Sequence, residues 1–130
     1  AYMELAIAEA RHCTSVASAF NVGAVVVRDR QVLATGYSRE LPGNTHAEEC
    51  CLIKLQDPQT GVPAALDRAV LFTTMEPCGE RLSGKVPCAH RLIAAGIRTV
   101  YVGVREPPHL VANTSGHRQL LNANIAVVYL

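Results

Sequence analysis

His46-Ala47-Glu48 and, further along, Pro77-Cys78 and Cys88 are residues of the types that hold and use a transition metal. One imidazole and two thiolates give three protein ligands, the number found in catalytic zinc sites that keep a fourth position open. Zinc at such a site lowers the pKa of water from about 15.7 to about 7, so hydroxide is at hand at neutral pH. Glu48 stands two residues past the imidazole, within reach of that water without joining the metal. A carboxylate so placed takes a proton and hands it to a departing amine. The expected chemistry is hydrolysis of a C–NH₂ group on an amidine-like carbon, leaving ammonia and a carbonyl.

His-x-Glu followed by Pro-Cys and a second cysteine is a recognised signature of zinc deaminases, usually with two residues between the cysteines. Here nine residues, Gly79 to Pro87, separate Cys78 from Cys88. A loop must return Cys88 to the metal, and Gly84 and Pro87 are suited to such a turn.

The elements that must position these residues follow from periodicity. Met3, Ile7 and Ala10 recur at helical spacing, so Tyr2 to about Ser18 reads as an amphipathic helix. Val22 to Arg28 is a β-branched run, hence a strand. Asp29-Arg30 is a tight turn, and Gln31 to Ser38 pairs back as a hairpin. Glu40 to Thr45 is a loop around Pro42-Gly43-Asn44. Thr45 is the expected N-cap, with Glu48 at capping-box spacing, of a helix from His46 to about Leu55. Asp57 to Gly61 is a turn-rich linker. Ala69 to Thr74 is a third strand that delivers Pro77-Cys78 at its end. Cys88 to Ala95 is a helix stopped by Gly96, and Arg98 to Val104 a fourth strand. Pro107-Pro108 breaks the chain before a short helix, Ser115 to Asn122, and a fifth strand, Ile125 to Tyr129. A helix joining strands four and five makes them parallel. The expected fold is a three-layer α/β/α domain spanning 1–130 with a mixed five-stranded sheet.

Composition narrows the partners. Across 130 residues the net charge is +1, with 49% hydrophobic and 18% charged residues, as in a globular domain. Near-neutral charge, no Trp and 5% aromatics argue against a nucleic-acid groove, which wants basic residues and stacking platforms. No apolar run approaches the roughly 20 residues of a membrane span. Tyr2 to Ala19 carries charge at helical spacing and does not read as a secretory signal. A start at Ala1 without Met is expected of an excised domain or a trimmed chain. Five cysteines, two of them proposed ligands, fit a reducing, cytoplasmic setting better than a disulfide framework.

Over nearly its full length the chain resembles the cytidine-deaminase-like superfamily, and within it the riboflavin-pathway pyrimidine deaminases of fungal type. The resemblance runs through Asn21-Val22-Gly23-Ala24-Val25-Val26-Val27, then Thr35 to Glu48, then Thr73-Thr74-Met75-Glu76-Pro77-Cys78, and includes the wide spacing closed by Pro87-Cys88. It implies the cytidine-deaminase-like fold, zinc, a homodimer, and removal of the ring amine from a diaminopyrimidine carrying a ribitylamino phosphate chain. Such a phosphorylated small molecule needs donors. Arg81, Ser83 and Lys85 lie in the loop after Cys78, placed for a charge-assisted grip. Arg39 and Asn44 lie in the loop that opens onto His46, and Asn21 and Ser38 stand near strand ends on the same side.

Each residue also has a structural reading. Glu48 could serve the helix cap, Asn44 the turn after Pro42-Gly43, and the loop donors could simply be solvated. Cys50, four residues past His46, shares its helix face and could ligate; otherwise it is a small buried hydrophobe, as expected for Cys13. His12, His90, His109 and His117 read as surface or capping residues. Two rival functions remain. One is the same chemistry on cytosine or adenine in a nucleoside, nucleotide, tRNA or single-stranded DNA. The other is a non-catalytic domain with structural zinc, against which Glu48 and the open fourth position argue.

Overall fold

The computed structural model describes residues 2–13, 21–42, 45–60, 66, 68–75, 88–104 and 115–129. Within them the chain runs α1 (Tyr2–Ala10), β1 (Gly23–Arg28), β2 (Gln31–Tyr37), α2 (Ala47–Leu55), β3 (Val70–Met75), α3 (Cys88–Ala95), β4 (Thr99–Val104), α4 (Ser115–Asn122) and β5 (Ala126–Tyr129). The sheet order is β2-β1-β3-β4-β5. β1 lies antiparallel to β2 and β3, while β3, β4 and β5 are mutually parallel neighbours. This is the expected mixed five-stranded sheet with strands four and five parallel.

The continuous apolar run of β1 has a direct cause. Val25 and Val27 face α1 with Met3, Ala6 and Phe72. Ala24 and Val26 face the opposite layer with residues of α2, α3 and α4, among them Cys51, Leu92 and Leu120. A strand covered on both faces has no solvent side to keep polar. β2, at the edge, begins with exposed Gln31 and Val32 and only later alternates. Asp29 and Arg30 both have positive φ (51° and 63°), the type of two-residue turn that matches strand twist. Gly96, at φ 83°, ends α3 as expected. The Asp57 carboxylate accepts the backbone N–H groups of Gln59 and Thr60, which closes the linker turn and lowers its pKa.

Two expectations about the first helix need correction. It ends at Ala10, and residues 11–13 form a turn; residues 14–18 lie outside the described residues. Its inner stripe is Met3, Ala6 and Ala10, while Ile7 is 42% exposed. The cause is a backbone contact. Gly23 lies so close beneath the helix that a Cβ there would stand 1.9 Å from the Ala6 carbonyl oxygen and 2.5 Å from the Ala10 nitrogen. That approach fixes which side of α1 faces the sheet, and Ile7 is left beside it.

A matching contact sits on the other face. A Cβ on Gly36 would lie 2.3 Å from the Ala47 carbonyl oxygen and 3.1 Å from both the Cys50 Cβ and the Cys51 nitrogen. Gly36→Ala is therefore expected to lift the start of α2 from the sheet. Overpacking of this kind costs about 1–3 kcal/mol, a fall in Tm of roughly 5 °C or more. A thermal melt of Gly36→Ala matching the parent would mean that α2 does not pack on Gly36.

Candidate active site

His46, Glu48 and Cys88 gather at one end of the sheet. β3 and β4 run towards that end, β2 finishes there, and α2 and α3 both begin there. A crevice at the carboxyl ends of parallel strands, facing helix starts, is where α/β sheets place their ligands.

His46 is the N-cap of α2, and Cys88 is the first residue of α3. Forty-two positions apart in sequence, they meet: His46 Nδ1 lies 3.3 Å from Cys88 Sγ. Nitrogen and sulfur sharing one tetrahedral zinc, at metal distances of about 2.05 and 2.3 Å, stand about 3.6 Å apart. The pair thus fits a common zinc ion in both donor type and separation. Cys78, the third expected ligand, lies with Glu76 and Pro77 outside the described residues; β3 ends at Met75, at the same end of the sheet.

Glu48 occupies the second position of α2 and is only 4% exposed. The expected cap is displaced by one residue. His46, not Thr45, is the N-cap, and Glu49, not Glu48, closes the box by accepting the His46 backbone N–H at 3.1 Å. The reason is that Thr45 is engaged elsewhere. Its hydroxyl donates to the Leu41 carbonyl at 2.7 Å and accepts the Leu41 N–H at 3.2 Å, while its own carbonyl accepts the Arg39 N–H. Thr45 therefore ties the loop 39–42 to the start of α2. The helix cap accordingly draws on Glu49, and Glu48 is left out of the capping box.

The expected substrate residues divide into three groups. Asn21 and Arg39 come together, with Arg39 Nη2 donating to Asn21 Oδ1 at 2.6 Å. Arg39 adopts φ 63°, a strained conformation for a non-glycine residue. Ser38 is at the same end but buried, and its hydroxyl is spent on Val22, accepting the N–H at 2.9 Å and donating to the carbonyl at 3.4 Å. Asn44, Arg81, Ser83 and Lys85 lie outside the described residues. Lys54, near the far end of α2, bonds both the Thr35 carbonyl and Glu40 at 2.7 Å, so the loop is anchored at a second point.

The remaining thiols and imidazoles take structural places. Cys50 Sγ points to the Thr45 hydroxyl (3.3 Å) and the Tyr37 carbonyl (3.6 Å). Cys51 donates to the Ala24 carbonyl, and burial, reinforced by the nearby Glu48 charge, pushes its thiol far above the ordinary range. Its sulfur is thus engaged inside the core, against β1. Cys13 reaches the Val22 carbonyl at 3.8 Å. His12 packs edge-on against Tyr37, with Glu9 at 3.8 Å, and His90 is exposed. His109 and the side chain of His117 lie outside the described residues.

Sequence reasoning missed Glu49 and Arg91. Glu49 Oε2 pairs with Arg91 Nη2 at 3.2 Å, between α2 and α3. The available signal was spacing: Glu49 lies three residues past His46, and Arg91 three past Cys88.

Residues 1–104 match the family model described as the cytidine and deoxycytidylate deaminase zinc-binding region. A Schizosaccharomyces pombe protein named diaminohydroxyphosphoribosylamino-pyrimidine deaminase is 43% identical over 129 residues, covering 98% of this chain and 31% of its own length. The riboflavin biosynthesis protein RibD of Actinobacillus pleuropneumoniae is 33% identical over 108 residues, 82% of this chain and 26% of that protein. The chain thus spans a third or less of the length of these relatives. The crystal structure of the Aspergillus oryzae Rib2 deaminase in complex with DARIPP superposes with a TM-score of 0.80 at 31% identity, covering 99% of this chain and 81% of that one.

Proposed function

The chain belongs to the cytidine and deoxycytidylate deaminase zinc-binding family, and from that premise we propose that it removes the ring amine of a diaminopyrimidine bearing a ribitylamino phosphate chain, a step of riboflavin biosynthesis. The observation that carries the reaction is the meeting of His46 with Cys88 at two helix starts, one turn from a buried Glu48. Support for the substrate comes from the 43% identity to the fission yeast deaminase and from the likeness to a fungal deaminase solved with DARIPP.

In this reading His46, Cys78 and Cys88 hold zinc, which supplies the acidity that frees hydroxide at neutral pH. Glu48 takes the proton of the attacking water and returns it to the leaving nitrogen. Water oxygen adds to the ring carbon, the C–N bond breaks, ammonia leaves and a carbonyl remains. Burial of Glu48 keeps bulk water from competing for that proton. Arg39 and Asn21 form a polar edge for the ring and its polyol, Asn44 and Ser38 flank it, and Arg81, Ser83 and Lys85 grip the phosphate. Residues 1–130 form one domain, working as a homodimer. Near-neutral charge, no Trp and few aromatics speak against nucleic acid as its substrate. Cys13, Cys50 and Cys51 carry reduced thiols, which suits a reducing, cytoplasmic setting. No described helix is long and apolar enough to cross a membrane.

Ammonia release is to be measured with the riboflavin intermediate, cytidine, deoxycytidylate and an oligonucleotide as substrates. Turnover of the first alone is expected. Preferential release from any of the other three would transfer the site to the cytosine-directed reading of the same chemistry.

A further inference from the structure

We propose that Glu49 and Arg91 are positioning residues: a buried carboxylate–guanidinium clamp that presets the separation of two zinc ligands. The argument is geometric. Glu49 uses both oxygens. Oε1 accepts the backbone N–H of His46 at 3.1 Å, and Oε2 pairs with Arg91 at 3.2 Å. Arg91 stands one helical turn beyond Cys88, on the same face of α3. Two rungs therefore join the helices. His46 and Cys88 form the outer rung at 3.3 Å, and Glu49 and Arg91 the inner rung at 3.2 Å. The inner rung is well placed to matter, because the Glu49 side chain is only 6% exposed and that of Arg91 29%. Screening is weak there, and a bond between planar charged groups fixes direction as well as distance. The cysteine needs such support. Cys88 follows a long intervening segment, so nothing in local sequence fixes it against His46, whereas a C-x-x-C pair would share one turn. The clamp replaces that local restraint with a tertiary one.

The inference rests on the reading of His46 and Cys88 as zinc ligands, and the test separates the two. Zinc dissociation constants are to be measured by competition with a chromophoric chelator for the parent, Glu49→Gln, Arg91→Met, Arg91→Lys and the Glu49→Gln/Arg91→Met double variant. Melting of the zinc-free chains is followed alongside. Outer-shell partners of metal ligands are worth about 10–100-fold in affinity. Glu49→Gln and Arg91→Met are each expected to weaken zinc binding within that range. The double variant should be little worse than either single one, because the two groups act as a unit. Arg91→Lys should recover part of the loss. Glu49→Gln keeps an acceptor for the His46 N–H, so it reports on the ion pair even if Arg91→Met fails to fold. Zinc constants within about twofold of the parent, with only the melting temperature lowered, would make the pair a plain structural contact and overturn the proposal. A parent chain that binds no zinc would remove the underlying reading and the clamp together.

Discussion

Glu48→Gln is expected to take up zinc as the parent does and to release ammonia about 10²–10⁴-fold more slowly, the usual worth of a positioned general acid–base group. The amide has the carboxylate's shape and can still hydrogen bond, but it cannot accept a proton from water and deliver it to nitrogen. The loss should fall on kcat, because the group acts in the transition state rather than in binding. Stability supplies a second readout. Glu49 closes the cap of α2, so replacing Glu48 should not fray the helix. A melt of Glu48→Gln therefore checks that lost turnover does not come from a lost fold. Metal content, initial rates and a melt on one preparation decide the matter. Wild-type turnover in Glu48→Gln would strip the residue of its role.

The same helix start shows how far a one-dimensional reading reaches. The β1 run, the Asp29-Arg30 turn, the Gly96 stop and the parallel strands β4 and β5 all rest on short-range rules of period, turn chemistry and crossover geometry, and each holds. The capping box slipped by one residue because Thr45 is buried and its hydroxyl is taken by Leu41 across the loop. Propensity ranks Thr above His as a cap; a tertiary contact reversed that order. Ile7 failed for a similar reason, since Gly23 rather than side-chain apolarity decides which face of α1 is inside. In the site, His46 and Cys88 stand out by residue type and order, and their side chains lie 3.3 Å apart. Arg91 carries no such mark. Its importance exists only once α3 lies beside α2, and spacing alone cannot announce that. The adjacent buried acids Glu48 and Glu49 break the rule that charge stays outside. Glu49 is compensated by Arg91 and by the His46 backbone N–H.

Cys88→Ala should lose zinc and, with it, ammonia release, while Cys50→Ala should keep both. The comparison is pointed because the two cysteines come close to His46 by different routes, one in sequence and one in space. Cys50 is one turn along the same helix, yet its thiol faces the Thr45 hydroxyl and the Tyr37 carbonyl. Cys88 arrives from another helix and stands 3.3 Å from the imidazole. Removing one of three protein ligands leaves an ion with two, too few to compete with a mild chelator. Stability should register the loss as well. A metal at about 1,000 times its dissociation constant stabilises the folded chain by about 4 kcal/mol, so the parent's Tm should climb on adding zinc and that of Cys88→Ala should not. Cys50→Ala should follow the parent's zinc response, offset only by the small cost of a buried cavity. Metal content after dialysis and paired melts with and without zinc measure this. Zinc retained in Cys88→Ala but lost in Cys50→Ala would exchange the two sulfurs, placing the metal on a single helix and leaving Cys88 a buried thiol.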